Sequence, residues 1–120
     1  MSENIIKTKS FSFALRIVKL YQFLCNNKRE FVLSKQLLRS GTAIGALVRE
    51  SVQAESKLDF IHKLSIAQKE ANESDYWLEL LFQSEYLDTV QFQSLKSDID
   101  EINKILASII ITTKQKIGKI

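Results

Sequence analysis

Apolar positions recur along this chain at helical intervals in four stretches. In the first, Phe13, Ile17, Leu20 and Leu24 follow at steps of four, three and four, one face of an α-helix, and Val18 and Tyr21 widen that face. The pattern predicts a helix over residues 10–26. Ser10 is its expected N-cap and Asn26-Asn27-Lys28 its stop, because asparagine tolerates the left-handed conformation of helix ends. In the second stretch, Leu33, Leu37, Ile44, Leu47, Val48 and Val52 predict a helix over residues 34–55. The third is the most regular. Phe60, Leu64, Ala67, Ala71, Ser74, Leu78 and Leu81 alternate steps of four and three, a heptad seam that predicts a helix over residues 57–84, with Ser56 and Asp59 as a capping box. The fourth, Phe92 through Leu95, Ile99, Ile102, Leu106 and Ile109 to Thr113, predicts a helix over residues 88–114, with Asp88 and Gln91 as a second cap-like pair.

Short connections force consecutive helices to run antiparallel. The expected fold is therefore all-α: an antiparallel up-down-up-down four-helix bundle, a single domain over residues 1–120. Composition agrees. Apolar residues make up 45%, enough for one core, while proline is absent and glycine occurs three times, too few turn formers for a sandwich or barrel. Gly41 and Gly45 stand one turn apart within the second helix, among Ser40, Thr42, Ala43 and Ala46. Each glycine costs about 1 kcal/mol against alanine there, so the thin stretch is expected to admit close approach of another helix. A phosphate-cradling loop is the other reading, and the surrounding periodicity argues against it. On the third helix, Ile61, Ile66, Trp77 and Leu80 lie off the seam, more apolar surface than one seam requires. That surplus points to oligomerisation.

Charge is segregated although the net is only +3. Residues 1–49 carry nine Lys/Arg and two acids, residues 50–101 four and twelve, and residues 102–120 four lysines and no acid. Such a distribution suits a polyanion ligand, or equally the pairing of opposite faces on neighbouring helices or subunits. Because the first helix starts where the fourth finishes, Lys7, Lys9, Lys114, Lys116 and Lys119 are expected to cluster at one end as a nucleic-acid candidate surface. Its binding would be weakly sequence-selective and strongly salt-dependent. Aromatics able to stack on bases are missing from this set, apart from Phe11. Cys25 is the lone cysteine, which excludes an intramolecular disulfide and suits a reducing cytoplasm. The polar N-terminal stretch has no apolar signal core, and the Ile109-Ile110-Ile111 run is too short to span a membrane.

Catalytic chemistry finds little purchase. Every Ser-His-Asp or Cys-His scheme would depend on the one histidine, His62, and a di-metal carboxylate bundle needs two histidine-bearing helices. No catalytic residue, metal site or cofactor is expected, and His62 reads as a surface or interface residue. Arg39 with Glu50, Glu70 and Glu73 reads as a set of charges pairing helix two with helix three; exposed pairs of small consequence are the alternative. Tyr76 and Trp77 read as helix packing or as an aromatic contribution to a subunit interface.

Two stretches carry a family likeness. Gln36-Leu-Leu-Arg-Ser-Gly-Thr-Ala-Ile-Gly-Ala-Leu-Val-Arg-Glu50 resembles the helix-two signature of the four-helix-bundle proteins of 23S rRNA intervening sequences. Asp59-Phe-Ile-His-Lys-Leu-Ser-Ile-Ala-Gln-Lys-Glu-Ala-Asn-Glu-Ser-Asp-Tyr-Trp-Leu-Glu-Leu-Leu81 resembles the matching helix-three signature. Ala43 stands where that signature has serine, and Leu47 where it has asparagine, so any polar contact made by that asparagine is lost here. The resemblance implies a bacterial, cytoplasmic four-helix bundle assembling into a homopentameric ring. The related accessory variability determinant of diversity-generating retroelements implies two possible partners, RNA or DNA and a reverse transcriptase. The expected function is thus a non-enzymatic oligomeric bundle with nonspecific nucleic-acid binding or an accessory role. The alternative is a purely structural or protein-protein interaction module with no nucleic-acid ligand.

Overall fold

The computed structural model describes residues 2–118, and its order is α1 (Ser2–Asn27), α2 (Leu33–Val52), α3 (Lys57–Gln83) and α4 (Thr89–Gly118). There is no strand among the described residues. Each helix packs on the two beside it, in the cycle α1–α2–α3–α4–α1, and the molecule measures 53 × 22 × 20 Å. One core runs its length. Phe13, Ile17 and Leu24 of α1 meet Leu37 and Ile44 of α2, Leu64 and Leu78 of α3, and Ile99, Ile102 and Leu106 of α4.

Helix α1 begins earlier than the predicted residue 10. Ile6 is 1% exposed and extends the core face by two turns, so Ser10 lies inside the helix. Its hydroxyl donates to the Lys7 carbonyl at 3.3 Å instead of capping. Val18 is exposed, so it does not widen the core face as the pattern suggested. Helix α2 ends at Val52 rather than residue 55, and α4 continues to Gly118 rather than residue 114. Ile117, half-buried against the core, accounts for the longer α4.

The helix ends are closed by local chemistry. In α3 the Asp59 N–H donates to Ser56 Oγ at 3.0 Å, as the capping box requires. In α4 the Gln91 N–H donates to Asp88 Oδ1 at 2.7 Å, and the Asp88 N–H returns to Gln91 Oε1 at 3.0 Å. The α1–α2 turn uses a device that has no sequence signature. Arg29 adopts a left-handed φ of 56°, which lets the Glu30 N–H reach back to Leu24 O at 3.0 Å and close α1. The buried Glu30 carboxylate then accepts the N–H groups of Val32, Leu33 and Ser34 at 2.8, 3.0 and 2.6 Å, which opens α2. Burial alone would raise the Glu30 pKa. The backbone donors of Ser34, Val32 and Leu33 outweigh it and hold the carboxyl below its ordinary range.

The two helical glycines set the α1–α2 distance. A Cβ on Gly41 would sit 2.9 and 3.0 Å from Ile17 Cγ1 and Cγ2, and one on Gly45 would sit 3.3 Å from the Ser10 carbonyl oxygen. The close approach expected of these glycines is made by α1 of the same chain. The α1–α4 seam is correspondingly wider, and ion pairs bridge it: Lys9 to Glu101 at 2.9 Å and Arg16 to Asp98 at 2.5 Å, with Arg16 also donating to Ser94 at 2.9 Å.

Gly41→Ala should lower stability by about 1–3 kcal/mol in urea denaturation, because Ile17 is β-branched and fully buried and cannot yield cheaply. With Ile17→Ala added, the loss should fall short of the sum of the two single losses. Glu30→Gln should cost about 1–2 kcal/mol at neutral pH, the range of lost helix caps. Since the native carboxyl pKa is lowered, its contribution is present above the ordinary carboxylate range and lost as pH falls through the native value. The gap between wild type and Glu30→Gln should therefore close on acidification.

Candidate functional site

Of two groups of residues singled out by sequence, the fold assembles one fully and the other only in part. The first bridges α2 and α3. Arg39 reaches across to both carboxylates, with Nη1 3.4 Å from Glu70 Oε1 and Nη2 donating to Glu73. Trp77 Nε1 donates to the same Glu73 oxygen at 3.3 Å, and Tyr76 meets the Trp77 ring edge-on, centroids 5.0 Å apart. Beneath this layer the fully buried Ser40 and Ser74 hydroxyls lie 2.9 Å apart, each also within reach of a carbonyl of its own helix. About three turns further along α2, Glu50 pairs with Lys63 at 3.5 Å. Arg39 foremost, then the Trp77 donor, hold Glu73 below the ordinary carboxylate range. A carboxylate so neutralised is a poor base. The geometry is that of a clamp between two helices.

The second group is the basic end of the bundle. Lys7, Lys114 and Lys116 are exposed there, and Lys114 and Lys116 make no ion pair with any side chain described. Lys9 is drawn away to Glu101 on the α1–α4 seam, and Lys119 lies outside the described residues. Part of the charge segregation is thus spent inside the fold. Basic α1 pairs with acidic α4 through Lys9 and Arg16, and Lys96 joins Asp75 across α3–α4 at 2.9 Å.

Two features escaped the sequence reading. Phe11, Leu15 and Val18 are 47%, 50% and 37% exposed and form a row at steps of four and three on the outer side of α1, where Arg49 of α2 covers the Phe11 ring at 4.9 Å. The spacing was visible in the sequence, but it overlaps the core set, and only the azimuth of α1 separates the two. The other is a groove at the basic end, where Asn4 and Lys7 of α1 face Ser56, Lys57 and Phe60 at the start of α3. Of the four off-seam residues of α3 that suggested oligomerisation, Ile61 is buried and Trp77 serves the Glu73 clamp, while Ile66 and Leu80 are half-buried. His62 is exposed. Half-buried Cys25 adjoins Tyr21, whose hydroxyl it pushes above the ordinary value. No group of three or more potential metal ligands occurs among the described residues, and no helix among them is long and apolar enough to cross a membrane.

A bundle of this design, with signatures on α2 and α3 that meet in the Arg39 clamp, defines a known class. The chain belongs to the family of 23S rRNA-intervening sequence proteins, whose model matches residues 2–108. It is similar to a protein of unknown function from the S23 ribosomal protein family of Bacteroides thetaiotaomicron. The two share 59% identity and superpose with a TM-score of 0.91 over 92% of this chain and 98% of that one. No curated protein matches it. The family is not one of known enzymes.

A double-mutant cycle on Arg39→Ala and Glu73→Ala should return a coupling of about 0.5–1 kcal/mol in chemical denaturation, the scale of half-exposed pairs. A coupling of zero would remove the clamp role.

Proposed function

We propose that this protein is a non-enzymatic, cytoplasmic, oligomeric bundle that holds nucleic-acid backbones at its basic end. The observation that carries the reading is that Lys7 on α1 and Lys114 and Lys116 on α4 are exposed toward one end of the bundle, where residues 102–120 carry four lysines and no acid. Cations left unneutralised at one place attract phosphates by releasing the counterions condensed on them. The exposed row Phe11, Leu15 and Val18 supports self-association, since an apolar row on a small protein is more stable covered than wet. A homopentameric ring would repeat the basic end five times and raise its affinity for a long polyanion. A reverse transcriptase or another protein is a further candidate partner for such a ring. The same apolar row favours the second reading, a protein-protein interaction module whose lysines serve solubility alone.

Light scattering and a salt-titrated RNA-binding assay on one sample test the reading. The expected mass is about five times the 13.8 kDa chain. The expected affinity falls steeply as salt rises, and the triple variant Lys7→Glu, Lys114→Glu, Lys116→Glu should lose it. A monomeric mass would reject the ring. No affinity at low salt, or affinity indifferent to salt, would reject the nucleic-acid role in favour of the interaction module.

A further inference from the structure

The basic end also contains the aromatic element that the lysines by themselves lack. Phe60 is the first residue of the α3 seam. Its side chain is directed toward the bundle axis, yet so close to the end that it is only half covered. It lines the groove between the first turns of α1 and the α2–α3 connection, with Lys7 on one wall and Lys57 on the other. Asn4 and Ser56 add an amide and a hydroxyl to the rim.

A second observation concerns Lys57. Further up the α3–α4 seam, Lys96 of α4 donates to Asp75 of α3. Moving eighteen residues toward the basic end on each helix, five turns at about 3.6 residues per turn, replaces Lys96 by Lys114 and Asp75 by Lys57. Both are exposed. By sequence register, then, the α3–α4 seam carries lysine on both helices at its end where its middle carries lysine and aspartate. Like charges brought near one another are relieved by a bound anion. The nearby acids are the exposed Glu55 and the half-buried Asp59, whose Oδ2 accepts the Glu55 N–H at 3.2 Å.

We propose that the groove between Lys7 and Lys57 is a seat for single-stranded nucleic acid, with a base stacked on Phe60 and the flanking phosphates on the two lysines. The proposal rests on the nucleic-acid reading above and deepens it. It adds Lys57 and Phe60 to the binding surface, and it converts a surface indifferent to strandedness into one that prefers unpaired bases, because a duplex does not offer a base face to the ring.

The test measures binding of a labelled oligouridylate and of a duplex RNA of equal length at low salt, using the full chain. Three variants serve: Lys57→Glu, Phe60→Leu and Phe60→Tyr. Phe60→Leu, which keeps the groove apolar, should weaken the single strand by about tenfold and leave the duplex unchanged. Phe60→Tyr, which keeps the ring, should bind as wild type does. Lys57→Glu should weaken both. Circular dichroism of each variant confirms that the bundle is intact. If wild type binds but Lys57→Glu and Phe60→Leu bind the single strand equally well, the groove is not the seat, although the basic end still is. If Phe60→Leu weakens single strand and duplex alike, the stacking role is lost. If wild type binds neither RNA, the nucleic-acid reading itself falls.

Discussion

The close contact of α1 with α2 over Gly41 and Gly45 is the constraint on which the remaining geometry depends. Ile17 occupies the space a Cβ at Gly41 would need, and the Ser10 backbone lies against Gly45. Two glycines in a helix interior weaken that helix on its own. They are tolerated because the missing side chains let a β-branched, fully buried Ile17 settle into α2. Once α1 is seated there, its rotation about its own axis is settled. Ile6, Phe13, Ile17 and Leu24 point inward, Lys9 and Arg16 face α4, and Phe11, Leu15 and Val18 face out. The opposite seam, α1 with α4, is left wider and relies on charge where α1–α2 relies on interdigitation.

Across the bundle, α2 and α3 solve a different problem. Small residues at their centre, Ser40 against Ser74, bring two hydroxyls into the core, where each must find a partner. They bond to one another, and that happens in one sliding register only. Arg39, with Glu70 and Glu73, repeats the same register requirement at the surface. An apolar seam tolerates a slip of one heptad far more easily than a paired hydroxyl does. The energetic worth of each contact is small, and its value lies in specifying a single alignment.

Function follows from what the packing leaves unspent. Charge segregation along the chain looked like a ligand signal, and much of it is consumed by ion pairs between neighbouring helices. What remains unpaired among the described residues includes Lys28, Arg29 and Lys35 around the α1–α2 connection and Lys57, Lys114 and Lys116 at the other end, where α4 finishes and α3 starts. There Lys57, Lys114 and Lys116 are exposed, and the Phe60 ring that ends the core is not fully covered. It is this end of the bundle that the proposed binding of phosphate backbones would use.

Much of this was legible in the sequence. The heptad steps from Phe60 to Leu81 and from Phe92 to Ile109 predict α3 and α4 because a 3.6-residue period is a property of the local chain. The Ser56–Asp59 and Asp88–Gln91 caps were readable for the same reason: their partners are three residues away. The Arg39, Glu70 and Glu73 set was visible as a group of charges on two adjacent helices. What the sequence could not supply depends on azimuth and on distance through space. Ser10 looks like a cap until Ile6 is seen to be buried, and Val18 looks like core until α1 is rotated by its contact with Gly41. Glu30 carries no capping signature, because its role needs the left-handed turn at Arg29 to aim the carboxylate at the start of α2. Local periodicity determined that there would be four helices and roughly where. Only tertiary packing decided which face of each helix is inside, and so which lysines and which aromatic ring are left for a partner.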